Sequence, residues 1–158
     1  MTWTVVDSPI GELRLVAEAV SLTAIEFSPF ATDREVADRS DDDPVLRRTA
    51  DQLAAYFRGE RREFDLPLAP LGTDFQRRVW GELQRIGWGE TTSYGELARR
   101  LGLSPAASRA VGLANGRNPI PVVIPCHRVI GANGKLTGYA GGVDRKQTLL
   151  DLESARLF

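Results

Sequence analysis

The only cysteine of the chain, Cys126, stands beside its only histidine, His127. A cysteine attacks as its thiolate, and a pKa of about 8.5 leaves only a few per cent ionised at neutral pH. A nucleophilic Cys126 therefore needs a base, and His127 is the one imidazole available. Adjacency complicates the pairing, because consecutive side chains of a strand point to opposite faces. Either the chain turns at this pair or a water joins the two groups. A bridging water is nearly as favourable as a direct bond, so a water relay is the preferred expectation. A histidine base also needs a carboxylate to fix its tautomer. Glu153 can supply one from a C-terminal helix whose cap Asp144 and Gln147 suit. Leu149, Leu150, Glu153 and Leu157 share a face of that helix at 3.6-residue spacing. A carboxylate inside an apolar stripe needs a partner, unless it sits at the edge and reaches solvent.

The elements that must position these groups are legible around them. Pro-Val-Val-Ile (121–124) reads as a short buried strand that Pro125 ends. Gly131, Gly134, Gly138, Gly141 and Gly142 follow. They make either a loop that presents backbone N–H groups to a ligand or a plain hairpin turning at Ala-Asn-Gly-Lys. Upstream, Thr73 and Gln76 form a capping box ahead of the stripe Phe75, Val79, Leu83 and Ile86, and Gly87 and Gly89 close that helix. Ser93 and Glu96 suggest a second capping box, opening a short helix that Gly102 stops. Ser104 and Pro105 open a third, ended by Gly116. Two short helices joined by a glycine-containing turn outline a helix-turn-helix. The third helix is lined by Ala106, Ala107, Ala110, Gly112 and Ala114, and Arg109 is its only charged residue. Such a face suits close approach to a DNA groove with Arg109 reaching in, or packing against another helix with Arg109 in solvent.

The N-terminal part reads as strands and then a helix. Residues 3–6, 12–18 and 22–27 are β-branched or alternating runs, and Asp-Ser-Pro-Ile-Gly turns between the first two. Residues 33–43 are acidic and read as an exposed loop. Asp43 caps a helix with Pro44 at its first position, on the stripe Leu46, Ala50, Leu53 and Phe57, with Gly59 at its end. The expected organisation is an N-terminal domain over 1–66, a linker over 67–72 and a C-terminal domain over 73–158.

Charge divides along the same line. Residues 1–72 hold 8 Lys/Arg against 14 Asp/Glu, and residues 73–158 hold 12 against 7. The net charge of −1 thus hides a basic C-terminal half, which suits a polyanion. One Cys and one His exclude an internal disulfide and an ordinary four-ligand zinc site. No run approaches the ~20 apolar residues of a membrane span. The N-terminus shows no secretion signal, and the cytoplasm is the expected compartment.

Pro125-Cys126-His127-Arg128-Val129-Ile130 resembles the active-site motif of the O6-alkylguanine-DNA alkyltransferases, the methylated-DNA–protein-cysteine methyltransferases. Ser-Arg-Ala-Val-Gly-Leu-Ala-Asn-Gly-Arg-Asn-Pro upstream and Gly-Tyr-Ala-Gly-Gly downstream fit the family at the expected relative spacing. The resemblance implies an α+β fold, with a small N-terminal ribonuclease-H-like sheet and helix and a helical C-terminal domain containing a helix-turn-helix. It implies irreversible, single-turnover transfer of the alkyl group from O6-alkylguanine, and from O4-alkylthymine, in double-stranded DNA to Cys126. No cofactor or metal is implied. His127 resembles the base, Glu153 its orienting partner and Asn118 a hinge between recognition helix and active site. Tyr94 resembles the tyrosine that helps rotate the target nucleotide and protonates the departing guanine. Arg109 resembles the finger that fills the gap in the stack, with Ser104, Ala110 and Gly112 on the DNA-facing side. Tyr139, Ala140, Val129 and Pro121 resemble the substrate pocket. Some members carry Ser where Ala140 stands, so here only a backbone N–H can reach O6. The expected partner is DNA alone, bound by a monomer, with cooperative binding left open. Three other readings make different predictions. A non-catalytic family member would lack the acceptor cysteine. A helix-turn-helix transcription factor would bind one undamaged sequence tightly, and a Cys-His hydrolase would turn over an ester.

Overall fold

The computed structural model describes residues 1–30, 38–136 and 138–154. The chain divides into two compact units, Met1–Leu71 and Gly72–Phe158.

The first unit is an antiparallel sheet in the order β1 (Thr2–Val6), β2 (Leu13–Glu18) and β3 (Ser21–Phe27), with α1 (Pro44–Phe57) packed against it. β2 is central, which is why five of its six residues are buried. Arg14 is buried among them, because its Nε lies 2.6 Å from Glu26 Oε1 and its guanidinium stacks 4.6 Å from the Phe30 ring. Asp43 caps α1 as expected, accepting from the N–H groups of Val45 and Leu46. The buried face differs from the expected stripe: Leu46 and Leu53 are joined by Thr49 and Tyr56, whereas Ala50 and Phe57 are only half-buried. Thr49 can face inward because its hydroxyl donates to the Val45 carbonyl at 2.7 Å. Of the acidic segment, residues 33–37 lie outside the described residues. The rest is stapled to β1 rather than looping freely. Ser40 N–H donates to the Trp3 carbonyl (2.9 Å), and the Thr2 and Thr4 hydroxyls donate to Asp43 and Asp41. Further on, Leu22 of β3 donates to the Pro67 carbonyl and accepts from Ala69 N–H, at 2.8 and 2.9 Å.

The second unit contains α2 (Asp74–Leu83), β4 (Thr92–Ser93), α3 (Tyr94–Arg100), α4 (Ser108–Gly116), β5 (Val129–Ile130) and α5 (Val143–Ser154). Pro105–Ala107 and Cys126–Arg128 are 3-10 turns. The helix-turn-helix is α3 and α4, and α2 packs across α4. The Thr73/Gln76 capping box forms, but α2 stops at Leu83, ahead of Gly87. Trp80, outside the expected stripe, is fully buried and donates from Nε1 to the Ala114 carbonyl at 2.9 Å. Ser93 caps α3 through Glu96 N–H, while the Glu96 side chain turns to Arg99. β4 and β5 pair in parallel, two residues each, and this short ladder anchors the segment just after Cys126.

Residues 121–124 are not a strand. They are buried, but they turn, with Ile124 N–H on the Ile120 carbonyl at 2.9 Å and Val122 at φ 72°. Pro119, Pro121 and Pro125 remove the donors a ladder needs.

Candidate active site

Asn118 builds the approach to the reactive turn. Its Oδ1 accepts from Ile120 N–H at 3.0 Å and its Nδ2 donates to the Ile124 carbonyl at 2.7 Å. This closes the proline-rich loop and delivers Cys126 into a 3-10 turn, so the chain does bend at the Cys–His pair. Asn115, one helical turn earlier on α4, donates to the Cys126 carbonyl at 3.4 Å. Both amides are buried.

Cys126 is free and buried. Burial pushes its thiol up to about 11, against the pull of the Asn118 side chain, the Lys146 ammonium and a backbone hydrogen bond. His127 is wholly buried, with Nε2 at 2.7 Å from Glu153 Oε2. Burial pushes the imidazole down; Glu153 pulls it up, and Arg128 and Lys146 push it further down. Its Nδ1 is buried and has no hydrogen-bond partner among the described residues.

Glu153 is 1% exposed, so it is no edge residue reaching solvent. Burial raises its carboxyl, but the hydrogen bonds from His127 and Arg128 outweigh that and hold it at about 2. Arg128 donates from Nε to Oε1 (2.9 Å) and from Nη2 to Oε2 (3.0 Å), and its Nη1 donates to the Ile86 carbonyl. The buried face of α5 is Lys146, Leu149 and Glu153; Leu150 is half-buried and Leu157 lies outside the described residues. Lys146 donates to the Val129 carbonyl at 2.6 Å.

Asn115, Arg128 and Lys146 were not among the sequence-derived candidates. Two of them left a signal. Lys146 continues the Leu149–Glu153 stripe backwards by one turn, and Asn115 sits three residues before Asn118 on the face of Val111 and Ala114.

Tyr94 opens α3, with its ring over Gly112 of α4. A Cβ on Gly112 would lie 3.5 Å from Tyr94 Cδ1, and one on Gly138 would lie 3.4 Å from the phenol oxygen. The phenol therefore lies against the loop that carries Tyr139, which is buried, and Ala140, which is exposed. Val129 and Pro121 are buried. The small residues of α4 divide: Ala114 packs inward, whereas Ala110 is exposed, as are Arg109 and, ahead of the helix, Ser104. Among the described residues no group of three His, Cys, Asp or Glu could hold a metal ion, and no helix is long and apolar enough to cross a membrane.

The comparisons with known proteins decide the family. Residues 1–70 match the ribonuclease-like domain of 6-O-methylguanine DNA methyltransferase, and residues 74–155 match its DNA binding domain. The chain belongs to the 6-O-methylguanine DNA methyltransferase family. A methylated-DNA–protein-cysteine methyltransferase of Methanosarcina acetivorans is 49% identical over 156 residues, 98% of this chain and 99% of that one. One from Mycolicibacterium paratuberculosis is 53% identical over 148 residues, 94% of this chain and 89% of that one. A crystal structure of the Mycobacterium tuberculosis protein in complex with DNA superposes with a TM-score of 0.89 at 49% identity, covering 99% of this chain and 94% of that one. The two-part α+β architecture of this methyltransferase chain, with its helix-turn-helix, is thus the family's.

Proposed function

We propose that the chain repairs DNA by moving the alkyl group from O6 of guanine, and O4 of thymine, to Cys126, once per molecule. The observation that carries this reading is the buried row Cys126, His127 and Glu153. The carboxylate holds Nε2 of the imidazole, and the buried Nδ1 has no hydrogen-bond partner among the described residues. A thiol near 11 is almost wholly protonated at neutral pH, so transfer needs a proton acceptor. Burial keeps His127 neutral and able to accept.

In the reaction the thiol proton passes through water to His127 Nδ1. Sulfur attacks the alkyl carbon; the S–C bond forms as the O6–C bond breaks. Guanine leaves with the bonding pair and takes a proton from Tyr94, which the imidazolium restores through solvent. Glu153 stabilises the imidazolium while it lasts. The net change converts thiol and alkylguanine to thioether and guanine. The chain has no second cysteine to accept the group in turn, so the reaction ends there.

The target carbon lies on a base edge inside the duplex, so the nucleotide must be extruded, at a cost of a few kcal/mol. Ser104, Ala110 and Gly112 let α4 approach the minor groove, and Arg109 fills the gap in the stack. The flipped base sits among Tyr94, Tyr139, the Ala140 backbone, Val129 and Pro121, and Asn118 links α4 to the cysteine. The protein acts as a monomer in the cytoplasm. The test is intact mass after mixing with duplex DNA containing O6-methylguanine. A gain of one methyl group on Cys126, absent in Cys126→Ala, is expected; no gain on the unsubstituted chain would overturn the reading.

A further inference from the structure

Between Glu96 and Asp144 the chain holds no acidic residue and six basic ones. Arg109, Leu113 and Arg117 follow at i, i+4 and i+8 along α4 and its C-terminal cap, so they share one side. All three are exposed, Leu113 by 64%. Neighbouring cations are already engaged. Arg77 pairs with Asp74 at 2.8 Å, Arg99 with Glu96 at 2.6 Å, and Arg78 donates to the Leu101 carbonyl at 2.9 Å. The side chains of Arg109 and Arg117 make no hydrogen bond or ion pair among the described residues. Arg117 also borders a groove of about 340 Å³ between α4 and the first turn of α2, lined by Thr73, Phe75, Gln76, Ala110 and Leu113.

Lengths assign different tasks to the two arginines. Eight residues of helix span about 12 Å. The minor groove is about 6 Å wide. If α4 crosses the groove with Arg109 inside it, that span carries Arg117 past the groove wall to the level of the sugar–phosphate backbone. There a guanidinium can donate twice to one phosphate. Leu113, halfway between, would then face the sugars.

We propose that Arg117 is a phosphate-binding residue, and that with Leu113 and the α2–α4 groove it holds the DNA strand bordering the minor groove. This rests on the DNA-repair reading above and adds a contact that reads no sequence. Each phosphate neutralised adds about 0.9 to the slope of log K against log salt on duplex DNA. Arg109, inserted into the stack, neutralises none.

The experiment measures binding of the full chain to undamaged duplexes over a range of salt. Arg117→Gln should lower the slope by about 0.9 equally on unrelated sequences, and Arg117→Lys should restore it. Transfer from free O6-methylguanine base should stay unchanged. An unchanged slope overturns the proposal, as does an equal loss on the free base or a lowered melting midpoint, which would make Arg117 a structural cap. Methylation of Cys126 by alkylated duplex, followed by mass in the unsubstituted chain, is read separately. Failure there removes the repair reading, while an unchanged slope with transfer intact removes this proposal alone.

Discussion

Nε2 of His127 lies 2.7 Å from Oε2 of Glu153, across 26 positions of sequence, and both side chains are buried. The same carboxylate also receives two donors from Arg128. The sharing matters for the chemistry. Arg128 keeps Glu153 ionised while its positive charge opposes protonation of His127. The imidazole is therefore fixed in orientation and held toward its neutral form, the state that the proposed proton transfer requires.

Glu153→Gln should be severely destabilising. It preserves shape but leaves Arg128 buried without its counter-charge, and breaking a buried pair in this way costs about 3–5 kcal/mol. Denaturant unfolding of the variant should show that loss with little change in slope. A loss under 1 kcal/mol would mean that Arg128 finds another partner.

Acid should destabilise the second unit in two stages, both of one sign. His127 titrates lower in the fold than in the unfolded chain, so the unfolded chain binds more protons below the ordinary value of about 6.5. That contribution is complete above 6.5 and shrinks as pH falls. Glu153, held at about 2 against about 4.3 when unfolded, contributes fully above 4.3 and is lost as pH drops toward 2. Unfolding free energy measured from pH 8 to pH 2 should fall throughout. A rise in stability from pH 8 to a maximum near pH 4 would contradict the His127 shift, and an unchanged stability between pH 4 and pH 2 would contradict that of Glu153.

Asn118→Ala should loosen the reactive turn. It removes the acceptor of Ile120 N–H and the donor to the Ile124 carbonyl, and each buried group left unpaired costs about 1–3 kcal/mol. A lower melting midpoint and slower methyl transfer are expected together. Unchanged transfer in a destabilised variant would separate the loop from the chemistry.

Local signals were strong where one element sufficed. The three N-terminal strands, the Asp43 cap and the Thr73/Gln76 box follow from side chains acting on their own neighbours, and the structure keeps them. Glu153 was legible as a carboxylate on an apolar stripe, since such a group demands a partner. What stayed hidden depends on distant residues. Nothing in the Pro-Val-Val-Ile run says that Asn118 will bracket it into a turn. Arg128 reads as one more basic residue until α5 brings Glu153 to it. Ala114 and Ala110 look alike in sequence, yet α2 covers one and leaves the other exposed.

Arg109→Ala should slow repair of duplex DNA far more than transfer from the free alkylated base, because only the duplex needs its stack refilled. Rates on both substrates, measured in one preparation, check this. Equal losses would argue against a part in base extrusion.

Gly138→Ala should do the opposite and slow both substrates. Gly138 sits at φ 65°, which costs an alanine about 1–2 kcal/mol. Its new methyl would also stand 3.4 Å from the Tyr94 phenol oxygen, in direct contact with it, so the strain at position 138 bears on the phenol. A phenol that protonates the departing guanine acts on the base itself, whether or not DNA surrounds it. Tyr94→Phe separates the two effects, removing the proton donor without strain at position 138. Comparable losses for both variants on the free base would place the phenol at the reacting guanine. A free-base rate unchanged in Tyr94→Phe would limit Tyr94 to rotating the nucleotide out of the duplex.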